Sequence, residues 1–338
     1  AVTSLKYFYE QAPEYHLIAA GSLLGVSTGR ENSFPVGKVN FITLYPMSFG
    51  EYLTAFNEEM LAKELFSGPG FKPLSDILHK KLLKHMKLYL FLGGMPEVLQ
   101  DYLDNQHIVS VRQIQKEILE AYTRDFSKHT DKSQAIKTAE LWHSIPYQLA
   151  KENKKFKYSA VRKNARASAF EQTIEWLRKT GLIYVVYNIS VPKLPLSGYA
   201  NLSKFKIYLF DTGLLGAMLD LTSDIIVKPD IFYREYNGAF IENFIATELI
   251  TAGNKNLFYW TSKSDAEVDF VIQSGNEIFP IEVKSGTNRN IKSLRSYADK
   301  YKPEYIFRVS PRNFINDKDF VNIPLYAVSS INNYKSYC

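Results

Sequence analysis

Residues 267–284 read EVDFVIQSGNEIFPIEVK, and this stretch decides the fold class. Glu267–Ile272 (EVDFVI) and Glu277–Lys284 (EIFPIEVK) are two strand-like runs dominated by β-branched and aromatic residues. Asp269 stands mid-strand between apolar neighbours, and the second run ends in Glu282, Val283 and Lys284. Their spacing is that of adjacent strands in a hairpin. Because residues i and i+2 of a strand share a face, Glu282 and Lys284 point the same way. A charge inside an apolar run is costly to bury, so Asp269 and Glu282 suggest a site; the alternative is an exposed hairpin face with an ion pair. Two carboxylates converging across neighbouring strands, with the Val283 carbonyl beside them, make an oxygen cage suited to Mg²⁺ or Mn²⁺. A lysine one pleat away can orient water or stabilise charge developing on a phosphate.

Working outward, Phe240–Ile250 (FIENFIATELI) reads as a helix carrying Glu242, and Leu257–Thr261 as a strand. Ile291–Tyr301 is a further helix, while Tyr305–Val309 and Pro324–Val328 are further strands. Upstream, residues 151–166 (KENKKFKYSAVRKNAR) oppose seven cations to the single acid Glu152. Ser168–Thr180 is a helix with a serine cap and Phe170, Ile174 and Leu177 inward. Leu182–Ile189 and Lys204–Phe210 then form a hairpin. Helix, helix, hairpin is the order of a winged helix–turn–helix. On that reading Lys154, Lys155, Lys157, Arg162, Lys163 and Arg166 contact nucleic acid; otherwise they form a solvated face.

The start of the chain reads as helix over residues 2–12, then two apolar strands, Tyr15–Gly21 and Val39–Tyr45, buried on both faces. From Ser48 to about Ala150 the pattern is helical: Phe49–Leu65, Leu74–Leu92, Ile108–Phe126 and Ala135–Leu149. His79 and His85, six residues apart, are not side by side on their helix, which argues against a metal pair.

The 338 residues carry a net charge of +6, which permits a polyanionic partner without demanding one. The single cysteine excludes a disulfide framework and a cysteine-built zinc site. No apolar run approaches the ~20 residues of a membrane span, so the expectation is a soluble, cytoplasmic protein without a membrane partner. No G-x-x-x-x-G-K-[ST] phosphate loop occurs, so these residues alone are expected neither to bind nor to hydrolyse ATP.

The order of helix with Glu242, strand with Asp269, strand with Glu282-x-Lys284, then helix resembles the PD-(D/E)xK, restriction-endonuclease-like nucleases. Glu242 matches the extra helical acid that many of them carry. The whole chain resembles the bacterial and archaeal AAA-type ATPases that end in a winged helix and a nuclease-like domain. Ala20-Gly21-Ser22, Gly29-Arg30, Leu44–Leu53 (LYPMSFGEYL) and Gly93–Glu97 (GGMPE) carry this resemblance, with the later E-N-F, E-V-D-F and I-E-V-K-S-G series. It implies that Ser22 is a sensor near the nucleotide γ-phosphate and Arg30 a phosphate-sensing arginine, with ATP bound only alongside an upstream part.

The expected fold is α/β and multidomain. Residues 1–55 would be a remnant of a P-loop ATPase sheet, 56–130 helical, 131–225 a winged helix–turn–helix, and 226–338 a restriction-endonuclease-like domain. Two functions follow from the resemblance. One is ATP-driven DNA processing with Mg²⁺-dependent cleavage by Asp269, Glu282, Lys284 and Glu242. The other is an ATPase switch whose winged and nuclease-like modules only grip DNA or a protein, with self-association through the ATPase part.

Overall fold

Helical periodicity governs the first half of the chain. The computed structural model describes residues 2–21, 37–66, 71–151, 154–222, 238–262, 266–286, 291–317 and 320–337. Ser22 and Arg30 lie outside the described residues. The first helices are α1 (Val2–Gln11), α2 (Phe49–Ala55), α3 (Glu59–Phe66), α4 (Asp76–Leu92) and α5 (Pro96–Asn105). They are followed by α6 (Ile108–His129), α7 (Lys132–Leu149), α8 (Tyr158–Val161) and α9 (Ala167–Lys179). The run expected as one helix over Phe49–Leu65 is two, parted at Asn57, whose φ of 58° lies in the left-handed region. Helix α9 begins one residue before Ser168 and has no side-chain cap, so Ser168 is a helical residue and not the cap. Phe170, Ile174 and Leu177 are buried as expected.

Residues 15–21 and 39–45 are not strands. They are almost wholly exposed, Ile18 at 93% and Leu44 at 96%. An apolar strand buried on both faces needs neighbours to complete its ladders, and among the described residues none pairs with either segment.

The sheet begins with the hairpin of β1 (Ile183–Ile189) and β2 (Ala200–Leu209). Helices α10 (Thr212–Met218) and α11 (Gly238–Thr251) precede β3 (Phe258–Thr261), β4 (Glu267–Ser274) and β5 (Glu277–Val283). Helix α12 (Lys292–Tyr301) leads to β6 (Phe307–Ser310), β7 (Ile315–Asn316) and β8 (Val321–Pro324), and a 3₁₀ segment closes the chain at Leu325–Tyr337. The last strand therefore precedes Leu325, where the sequence placed it over Pro324–Val328. Strand order among the described residues is β2-β1-β3-β4-β5-β6-β8-β7. β1 runs parallel to β3, so the hairpin and the C-terminal strands form one mixed sheet. Helix α11 contributes Ile241, Phe244 and Ile245 to the larger core, and α12 contributes Leu294 and Tyr297 to a smaller one.

The motif residues around Pro46 and Gly93 build a joint. The Met47 N–H donates to the Gly94 carbonyl at 2.8 Å, and the Tyr89 hydroxyl donates to the Met47 carbonyl at 2.7 Å. Ser48 and Glu51 form a reciprocal capping box that starts α2. The Phe49 N–H then donates to Glu248 Oε1 of α11 at 2.9 Å. Gly94 packs directly on the Met47 backbone, and its own N–H donates to buried Asp211 at 2.6 Å.

Candidate functional site

Strand alternation and one irregularity position the expected site residues. Trp260 faces Val268 and Phe258 faces Val271 across the β3–β4 ladder, so β4 carries one extra residue between those pairs. Val268 and Val271 both pack in the core beneath α12, while Phe270 and Ile272 pack in the core beneath α11. The bulge turns Asp269 to the α11 side with Phe270. On β5, Phe279, Ile281 and Val283 also belong to the α11 side, so Glu282 between them points to the α12 side. The convergence expected of Asp269 and Glu282 is thereby replaced by two separate groups on opposite faces.

The first group is a buried acid–lysine centre. Asp269 Oδ2 accepts the Val283 N–H at 2.8 Å, just beyond the end of the β4–β5 ladder. Burial, reinforced by the Glu242 charge, pushes the Asp269 carboxyl up to about 7. Glu242, on α11, has both oxygens engaged. Lys154 holds Oε1. The Tyr208 hydroxyl donates to Oε2 at 3.0 Å, and Lys206 Nζ lies 3.8 Å from it. Burial alone would raise the Glu242 carboxyl, but Lys154 and Lys206 outweigh it and hold it below its ordinary value. Lys206 is 1% exposed, with Nζ 2.6 Å from Glu267 Oε1 and 5.1 Å from the Tyr259 ring centroid. Its burial favours the neutral amine; Glu242, Glu267 and Asp269 overcome that and raise it above its ordinary value.

Glu282 and Lys284 form the second group, with Nζ 2.7 Å from Oε1. Glu282 pairs in register with Arg308 of β6, and its Oε2 is buried without a hydrogen-bond partner. That orphaned oxygen is a ready ligand, yet the other acids are across the sheet. Among the described residues no group of three or more His, Cys, Asp or Glu stands placed to hold a metal ion. The donor set as arranged does not fit a bound divalent cation. His79 and His85 are likewise occupied, by Tyr326 at 2.7 Å and by Tyr52 at 3.3 Å.

The basic segment splits in two. Lys154 turns inward onto Glu242, Lys155 lies 4.0 Å from Glu267, and Arg162 grips both oxygens of Glu140 at 2.7 Å. Lys157, Lys163 and Arg166 are exposed.

Lys206, Tyr208 and Glu267 went unremarked in the sequence, although the signal was there. Lys206 interrupts the apolar run of Lys204–Phe210 as Asp269 interrupts that of β4. The i, i+2 spacing of Lys206 and Tyr208 sends both toward Glu242.

Comparison with known proteins adds three matches. Residues 1–53 match a family described as an AAA domain. The start of the chain is thus similar to an AAA domain. Residues 83–225 match a domain of unknown function (DUF8612), and residues 237–327, which hold the acid–lysine centre's Glu242, Glu267 and Asp269, match another (DUF4143). No curated protein and no solved structure matches the chain. Among the described residues no helix is long and apolar enough to cross a membrane.

Proposed function

We propose that this AAA-type, ATPase-like chain is a nucleotide-linked switch whose winged and nuclease-like modules grip DNA without cutting it. The observation that carries the reading is the neutralised centre: Lys154 and Lys206 hold Glu242, the helical acid expected to assist a metal, and Lys206 also holds Glu267. Phosphodiester cleavage by this kind of centre needs two acids on one cation. Here Asp269 and Glu282 belong to different faces of the sheet. Gripping DNA needs only accessible cations. Exposed Lys157, Lys163 and Arg166, beside the helix α9 and hairpin expected as a winged helix, supply them. ATP, sensed by Ser22 and Arg30, and self-association through the ATPase part belong to the same proposal.

Fluorescence anisotropy with a labelled duplex at several salt concentrations tests the reading. Binding that weakens steeply with salt is the expected result. No binding of any DNA form at low salt would remove it. The metal-dependent alternative, cleavage with Mg²⁺ or Mn²⁺ by Asp269, Glu282, Lys284 and Glu242 with the Val283 carbonyl as ligand, is favoured by one observation, the orphaned Glu282 oxygen.

A further inference from the structure

The buried centre contains two ammonium groups where its expected chemistry calls for a metal. Lys206 contacts two carboxylates, at 2.6 Å and 3.8 Å, and is almost wholly removed from solvent. It is held from three sides: Glu267 on β4, Glu242 on α11 and the Tyr259 face on β3. Lys154 reaches the other oxygen of Glu242 from the loop after α7, and its side chain is only 15% exposed. Every oxygen of Glu242 is thus spoken for, and Asp269 Oδ2 is held by a backbone N–H. A divalent cation entering here would meet two positive charges in a medium that screens poorly. It would also have to strip Glu242 of its partners.

We infer that Lys206, seconded by Lys154, is the resident cation of this centre and keeps divalent metal out of it. The inference rests on the non-cutting reading of the same centre, but it does not depend on DNA binding. Lys206 is therefore the residue that decides between an ion-paired scaffold and a metal site. Replacing it with an uncharged side chain of similar length leaves Glu242, Glu267 and Asp269, which as placed form no ligand set, around a buried position without its cation, and a divalent ion becomes the charge that can draw them together.

Manganese titration of the full chain, followed by electron paramagnetic resonance of the free ion, tests this. The wild-type protein should take up no Mn²⁺ that Asp269→Asn abolishes. Lys206→Met should bind Mn²⁺ at least about tenfold more tightly than wild type, since the repelling buried charge is gone. Lys206→Arg, which keeps the charge, should behave as wild type. If Lys206→Met does not fold, Lys154→Met provides the same test at the rim of the centre, with a smaller gain of the same sign. Wild-type Mn²⁺ uptake that Asp269→Asn removes would overturn the inference. So would a folded Lys206→Met or Lys154→Met that gains nothing. Failure of the DNA-gripping reading is seen separately, in the anisotropy measurement, which needs no metal.

Discussion

The Lys206 ammonium of β2 lies 3.8 Å from Glu242 Oε2 of α11, and this pair ties the hairpin to the helix on the buried side of the sheet. Asn243, the next residue, adds two bonds to the Leu209 backbone, at 2.7 Å and 3.0 Å. The E-N-F series is thus a docking device as well as a source of the acid.

Removing Lys206 should be costly. Truncating one partner of a buried charge cluster strands the others, and Lys206→Ala is expected to destabilise by about 3–5 kcal/mol. Lys206→Arg should lose less than half of that, because the charge stays. Urea denaturation of both variants gives the comparison; equal losses would mean that the cost is one of packing and not of charge.

Glu248 makes stability fall as pH rises. Burial pushes its carboxyl up to about 7, and its acceptance of the Phe49 N–H only partly offsets this. An acid raised in the folded state binds more protons folded than unfolded between its two pKa values. Its burial therefore costs little below pH 4.5 and progressively more through pH 7. The penalty above pH 7 is about 3 kcal/mol. Glu248→Gln should flatten the decline in melting temperature between pH 5 and about 8. Asp269, raised in the same direction, leaves a residual slope. An unchanged profile would mean that Glu248 is not titrating in this range.

Gly94→Ala should loosen the joint between the first helices and the rest. Its Cβ would fall onto the Met47 carbonyl oxygen and within 2.8 Å of the Met47 amide nitrogen, both backbone atoms that cannot swing aside. A loss of about 1–3 kcal/mol is expected. A denaturation midpoint equal to wild type would show that the two segments can separate without cost.

The basic segment should divide in function as it divides in structure. Replacing Lys157, Lys163 and Arg166 with Ala should lower the slope of log affinity against log salt by roughly one unit per lost contact. Lys154→Ala should lower stability and leave that slope unchanged, because Lys154 is spent on Glu242. An unchanged slope in the triple variant would assign the segment to a solvated face.

Much of the C-terminal half was legible because its strands are near-continuous apolar runs broken by single charges. Asp269 and Glu282 stand out in that way; Glu242 comes from the resemblance, and the helices near residues 240–250 and 291–301 from helical patterning. The facing of Asp269 was not legible, since a bulge adds one residue without any mark in the sequence such as a glycine. Lys206 carries the same mark, a single charge within the apolar run of residues 205–210, but a lysine's long stem lets its charge reach solvent, so the pattern alone does not show that it is buried. Segments 15–21 and 39–45 misled for another reason: apolarity records that a strand can be buried, but pairing depends on which strands stand beside it. Gly93 and Gly94 could be quoted as a motif, yet only the approach to Asp211 and Met47 explains them.

The most direct test of the account is a cleavage assay with Mn²⁺ on supercoiled, linear and single-stranded DNA, run beside the anisotropy measurement on the same preparation. The account predicts salt-dependent binding and intact DNA in every form. Cleavage that Asp269→Asn and Glu282→Gln both abolish would contradict it, because the two carboxylates would then act together on one metal.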